Sequence, residues 1–289
     1  MKILVIGKNG QLGRELFDLS QSFSEYSWTF TERKELDICC DDSIKDFFST
    51  HSFDVVMNVA GYTAVDKAEI EQSQAMQTNA YALATLCEAV SKQGGFLIHV
   101  SSDYVFGNVL CTPYTEDFKN PQPLSVYGAS KYLGEKAILK SSVKAAIIRT
   151  SWLYSFHGNN FVKTMLKLGK TKEQLNVVFD QIGTPTYAAD LAEVMVSLLQ
   201  HMPSQTEIFH FSNEGVCSWY DFSRKIMELS NLSCRIFPIR SKDYPTPAER
   251  PAFSVMDKSK IKQYLHLEIP HWEDSLRTCL SKLLNNPSE

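Results

Sequence analysis

No stretch of this chain approaches the ~20 consecutive apolar residues that a membrane-spanning helix requires, so a helical anchor is not expected and no membrane partner is assigned. The opening run in MKILVIGKNG is cut short by glycine before it reaches the length of a signal-peptide core, and the expected location is the cytoplasm. Clustered basic charge is missing too. The 29 Lys and Arg are scattered among 33 Asp and Glu, for a net charge of -4, whereas grip on a phosphate backbone needs grouped cations; no nucleic acid is expected as a partner. The seven cysteines include no CxxC spacing, which fits reduced thiols rather than a disulfide framework. Adjacent Cys39 and Cys40 form no metal-ligand pattern. What is present is an ordinary globular composition, 44% hydrophobic and 21% charged over 289 residues, enough chain for one large domain or two smaller ones.

The first half alternates strand and helix. Lys2 to Ile6 is a short apolar run, and Gly7, Gly10 and Gly13 follow at intervals of three before the helical run Arg14 to Ser20. In that context glycines permit a tight turn and close approach of a pyrophosphate, which the amides at the helix start attract. The spacing is GxxGxxG rather than GxGxxG, and a plain turn is the competing reading. A second strand, Trp28 to Thr31, leads to Glu32, Arg33 and Asp37. An acid there suits a ribose 2'-hydroxyl and Arg33 a 2'-phosphate, so the cofactor is NADPH or NADH with the choice open. Asp37 and Ile38 either edge the adenine or begin the helix Asp42 to Ser49.

Asp54 to Val59 reads as a strand buried on both faces, running into Ala60 and Gly61, small enough for a cofactor to lie close. A long helix from about Glu71 to Gln93 carries Asn79, either scaffolding for the cofactor or a satisfied polar residue. The strand Phe96 to Val100 delivers Ser102 just past its end, and the segment up to Pro123 reads as a surface loop. The strand Ala145 to Thr150 completes a βαβα alternation. The expected class is α/β, a doubly wound parallel sheet of Rossmann type over 1–150, completed by about 176–212. After Thr150 shorter mixed elements begin: helices near 161–168, 188–199 and 219–229, strands near 176–179, 208–211 and 235–239, then closing helices near 258–264 and 272–284. They read as a smaller mixed α/β substrate-binding lobe over 151–289, interleaved with the first.

YGASK, Tyr127 to Lys131, sets a phenol and an ammonium four residues apart on one helix face. A cationic neighbour stabilises phenolate, so the tyrosine pKa is expected to fall from its usual ~10. Such a residue exchanges protons with an alcohol or carbonyl, and Ser102 can donate to the same oxygen. Chance surface placement is the bland alternative for the isolated pair.

Taken together, the glycine turn, NVAGYTAVDKAE, SSDYVFG, YGASK, RTSWLY, GNNF and YPTPAERP resemble the extended short-chain dehydrogenase/reductases over essentially the whole chain. The resemblance implies a catalytic set of Ser102, Tyr127 and Lys131. It implies cofactor contacts at Gly10, Gln11, Leu12, Asp37, Ile38, Gly61, Tyr62 and Thr63, to which the glycine turn adds Gly7 and Gly13 and the small residue at the strand end adds Ala60, with Tyr127 and Lys131 joining them. Trp152 and Asp103 match substrate contacts, and Asn160 and Arg250 are candidates for the nucleotide end of a nucleotide-sugar substrate, Arg because its planar fork suits a pyrophosphate. The implied activity is hydride reduction of a 4-keto sugar carried on a nucleotide. An epimerase on the same scaffold would share the catalytic set, and a non-catalytic regulatory subunit would have no need of it. Some relatives hold Mg2+ between subunits. Here no tight acidic cluster is evident, Asp190 and Glu193 read equally well as a solvated helix face, and no metal is assigned. A homodimer is left open.

Overall fold

The computed structural model describes residues 1–285. Six parallel strands form the central sheet in the order β10-β5-β4-β3-β1-β2: β1 (Lys2–Ile6), β2 (Ser27–Thr31), β3 (Val55–Asn58), β4 (Phe96–Ser102), β5 (Lys144–Thr150) and β10 (Glu207–His210). The inner strands are apolar without alternation because helices cover both faces. On one face α1 (Gln11–Ser20) and α8 (Ala188–Ser197) press Leu12, Leu16, Leu191 and Met195 against Ile3, Val5 and Ile148. The opposite face is covered by α2 (Asp41–Thr50), α5 (Ala82–Lys92) and α6 (Val126–Lys140), whose Ile44, Phe48, Leu86, Val90 and Ile138 pack on Leu4, Val56, Leu97 and Ile147. From β1 the chain steps outward to β2, then crosses to β3 on the other side of β1. That reversal opens a crevice at the carboxyl ends of the strands, where ligands of such sheets bind.

Between β3 and α5 lie two short helices, α3 (Val65–Ala68) and α4 (Gln72–Met76), and one π-helical turn, Gln77–Tyr81. After β5 come β6 (Leu153–Tyr154), α7 (Phe161–Gly169), β7 (Gln174–Val178), β8 (Ile182–Gly183) and β9 (Thr186–Tyr187). Beyond β10 follow β11 (Cys217–Ser218), α9 (Trp219–Leu229), β12 (Arg235–Ile239), α10 (Ser259–Leu265) and α11 (Trp272–Asn285). Residues 174–178 stay out of the main sheet: β7 pairs in parallel with β12, while β10 takes the sixth position beside β5. A separate apolar cluster of Tyr154, Met165, Phe222, Ile226, Trp272 and Leu276 holds α7, α9 and α11 together.

Several expectations change. β4 reaches Ser102, because Ser101 and Ser102 keep pairing with Arg149 and Thr150. The segment 107–123 is not simply surface: Tyr114 is fully buried, stacks on Phe106 at 4.2 Å, accepts the amides of Val109 and Leu110 and bridges to Met256. Asp190 is no solvated residue either. Its carboxylate accepts from Asn213 and from Ser275 of α11, and burial raises its pKa.

Candidate active site

Helix α6 begins with Ser125, whose hydroxyl caps it by accepting from the Gly128 amide at 3.2 Å. The cap sets Tyr127 in the first turn. Gly128 has no room for a side chain, since a Cβ there would lie 2.4 Å from the Tyr104 carbonyl oxygen. The helix thus sits tightly on the end of β4, with Tyr127 close enough to Ser102 for that hydroxyl to pull its pKa down. Ser102 also donates to Asp103 Oδ1 at 3.0 Å and accepts the Tyr104 amide at 3.2 Å. Asp103 is 1% exposed, and burial pushes its carboxyl up to about 6 against the pull of the Ser254 and Ser102 hydroxyls. Lys131 is 5% exposed and donates to the Val100 carbonyl at 2.7 Å.

The expected fall in the tyrosine pKa is not seen. Burial pushes Tyr127 up to about 12; the Ser102 hydrogen bond lowers it and the Asp103 charge raises it. Lys131 turns towards the backbone of β4, and its own pKa falls to about 8 through burial, opposed by the Glu135 carboxylate. Glu135 sits one turn on in α6, fully buried, where Arg149 donates to both its oxygens at 2.9 and 2.7 Å and Ser101 donates at 2.6 Å.

The glycine turn fits a pyrophosphate. Gly7 has φ 103°, and a Cβ at Gly13 would lie 2.2 Å from the Gly7 carbonyl oxygen, so turn and helix need both glycines. Helix α1 starts at Gly10 with no side-chain cap and no acid in its first turn, which leaves its positive end for an anion. Across from it, Asn79 accepts the Tyr62 amide at 2.8 Å and donates to the Tyr62 carbonyl at 3.0 Å and to Ser130 at 2.9 Å. A Cβ at Gly61 would lie 3.9 Å from Lys131 Nζ. The loop after β3 therefore lies against α6, with Asn79 as its strut. At the end of β2 the two competing signals pair with each other: Arg33 Nε donates to Asp37 at 3.0 Å on the surface.

A cleft of about 480 Å³ adjoins these residues, lined by Tyr104, Phe161, Leu175, Trp219, Tyr244 and Arg250 among others. Tyr104 meets Tyr127 edge-on with ring centres 5.5 Å apart. A more open depression around Glu116, Asp257 and Lys260 holds none of Ser102, Tyr127 and Lys131.

The family model for the RmlD substrate binding domain matches residues 1–285. The chain belongs to that family. It is 40% identical over 283 residues to the spore coat polysaccharide biosynthesis protein SpsK of Bacillus subtilis (strain 168), covering 97% of each chain. To a dTDP-4-dehydrorhamnose reductase of Aggregatibacter actinomycetemcomitans it is 38% identical, covering 96% of this chain and 97% of that one. The crystal structure of a dTDP-4-dehydrorhamnose reductase from Bacillus anthracis str. Ames in complex with NADP superposes with a TM-score of 0.92 at 37% identity, over 97% of this chain and 99% of that one.

In this RmlD-family chain some expected residues have other work. Ile38 and Leu12 are core side chains, each 5% exposed, so only their backbone is free to meet a ligand. Asp37 caps a turn by accepting the Cys39 amide, and α2 starts later, at Asp41 behind Cys40 as its N-cap. Asn160 caps α7 through the Lys163 amide and donates to Gln11 at 2.9 Å and to the Ser155 carbonyl at 2.7 Å. Its amide braces the glycine turn and does not line the cleft. Trp152 has φ 47° and stacks on Trp219 at 3.7 Å, and a Cβ at Gly183 would lie 2.8 Å from its ring. Trp219, Tyr104 and Asp66 border the cleft without having been singled out. DYVF carries a signal for Tyr104 as the aromatic beside the strand end; Trp219, far along the chain from Trp152, carries none.

A tight acidic group is present after all. Glu15, Asp18 and His157 offer ligand atoms within 4.8 Å of one another, a grouping that only the fold creates. His157 Nε2 contacts Asp18 at 2.8 Å and Ser155 donates to Glu15 at 2.6 Å, so the three also fasten α1 to the segment after β6.

Proposed function

We infer that this chain is a reductase that converts dTDP-4-dehydro-β-L-rhamnose to dTDP-L-rhamnose with NADPH or NADH. The observation that carries the reading is Tyr127 set beside Ser102 at the start of α6, with Lys131 buried one turn on, in a chain that matches dTDP-4-dehydrorhamnose reductases over nearly its whole length. Bound nicotinamide supplies the hydride. Ser102 polarises the C4 carbonyl and Tyr127 protonates its oxygen. With its pKa pushed up to about 12, the tyrosine stays protonated at neutral pH, as an acid in the reducing direction must. Lys131 anchors the nicotinamide ribose. Among the described residues its ammonium donates to the Val100 carbonyl, one of three donations it can make, so it has protons to give. The glycine turn and the uncapped start of α1 take the pyrophosphate, and the cleft between Tyr104 and Trp219 takes the nucleotide sugar.

The test is a reductase assay on the 4-keto nucleotide sugar with each cofactor in turn. Stoichiometric oxidation of NADPH or NADH is expected. No net oxidation would sink the reading, since an epimerase regenerates its bound cofactor. No helix among the described residues is long and apolar enough to cross a membrane, and we read the protein as a cytoplasmic enzyme. Sedimentation measures whether it is a homodimer.

A further inference from the structure

One ion pair joins the two sides of the cleft across 184 positions of sequence. Asp66 lies in α3, on the loop whose Gly61 and Tyr62 rest against Lys131 and Asn79. Arg250 lies in the segment 244–251. Its Nη2 donates to Asp66 Oδ2 at 2.7 Å and its Nη1 to Asp66 Oδ1 at 3.0 Å, while the Ala248 amide donates to the same Oδ1 at 3.2 Å. Nη1 also donates to Thr246 at 2.6 Å and to the Ala248 carbonyl at 3.1 Å. One guanidinium thus folds its own loop and ties it to the loop after β3.

The pair has the features that lift an ion pair above the weak surface average: bidentate geometry, and an arginine side chain only 21% exposed. Asp66, Tyr104, Thr246 and Arg250 all line the cleft. Arg250 also lies close to Tyr104 in the cleft lining, and the Tyr104 ring packs edge-on against Tyr127. The clasp therefore ends one ring away from the proposed acid. With both terminal nitrogens engaged by a carboxylate, Arg250 is poorly disposed to act as a free fork for a pyrophosphate.

We propose that Asp66 is a positioning residue: by clasping Arg250 it holds segment 244–251 as the wall of the cleft, and so sets the affinity for the nucleotide sugar. The proposal rests on the reductase reading above. A structural brace with no bearing on substrate would alter stability alone, whereas a positioning residue alters KM more than kcat.

The experiment compares wild type, Asp66→Asn, Asp66→Glu, Arg250→Met and the double variant Asp66→Asn/Arg250→Met. Steady-state kinetics are measured on the nucleotide sugar, NADPH affinity by fluorescence titration, and amide exchange over 246–250 by mass spectrometry. Asp66→Asn and Arg250→Met are each expected to raise KM about tenfold or more with a much smaller fall in kcat and little change in NADPH affinity. Asp66→Glu should recover part of the loss, the double variant should be no worse than the poorer single one, and the amides should exchange faster in Asp66→Asn. A wild-type KM in Asp66→Asn, or losses that multiply in the double variant, overturns the proposal. If wild type turns over no nucleotide sugar, the reductase reading falls instead. Amide exchange then decides the clasp, and unchanged exchange in Asp66→Asn overturns it.

Discussion

The position of Tyr127 follows from close contacts that leave no latitude. Gly128 lets Tyr104 approach, Ser102 reaches the phenol, and Asp103 holds Ser102 from below. Tyr127→Phe should bind NADPH normally and lose about 10²–10⁴-fold in kcat, the usual worth of a general acid; titration and turnover together check it. Lys131 gives a pH prediction. Burial lowers its pKa from 10.5 to about 8, so its proton leaves the folded enzyme as pH rises through about 8. We therefore expect kcat/KM to decline above about pH 8, and a profile flat to pH 10 would contradict the role given to the charged lysine. The sign for stability is opposite. Between about 8 and 10.5 the unfolded chain holds this proton more often than the folded one, so this group favours folding as pH rises there. At the glycine turn, Gly13→Ala would drive a methyl to 2.2 Å from the Gly7 carbonyl oxygen. It should weaken cofactor binding at least as much as it weakens the fold, measured by NADPH titration beside thermal unfolding.

Helix α6 and the π-helical turn act as elements. The Ser125 cap is a local interaction, and Ser125→Ala should cost about 1 kcal/mol of stability in denaturant unfolding, with some loss of kcat because the first turn carries Tyr127. The π-helical turn Gln77–Tyr81 departs from regular α-helix at Asn79, the residue that holds the loop after β3. Behind it, Gly134 allows α6 to approach the Asn79 backbone, where a Cβ would lie 2.1 Å from the carbonyl oxygen. Sequence patterning shows these stretches as helix, since apolar period reports the buried face. The extra residue in the π-turn is invisible to it. The same holds for residues 107–123, whose Pro and polar content reads as surface although Tyr114 is buried there by Phe106 and Met256.

For the whole molecule, burial decides which charges matter. Glu135 and Arg149 are 0% and 2% exposed and link α6 to β5 directly behind Lys131. Removing one partner leaves an unpaired buried charge, so Glu135→Ala should cost about 3–5 kcal/mol in denaturant unfolding, and Glu135→Leu/Arg149→Met should cost less than either single loss. The parallel sheet and the glycine turn were legible in the chain, because apolar runs and glycine spacing are local properties that survive in one dimension, and helical spacing placed Tyr127 and Lys131 on one helix as a candidate pair. Which charges meet was not. Asp66 with Arg250, Asp18 with His157, Trp152 with Trp219 and Asn160 with Gln11 are contacts between segments far apart in sequence, and no local pattern encodes them. The pKa of Tyr127 belongs with these: its spacing from Lys131 was determined by sequence alone, but the direction of the shift came from the three-dimensional packing that buries the phenol and turns the lysine to the Val100 carbonyl.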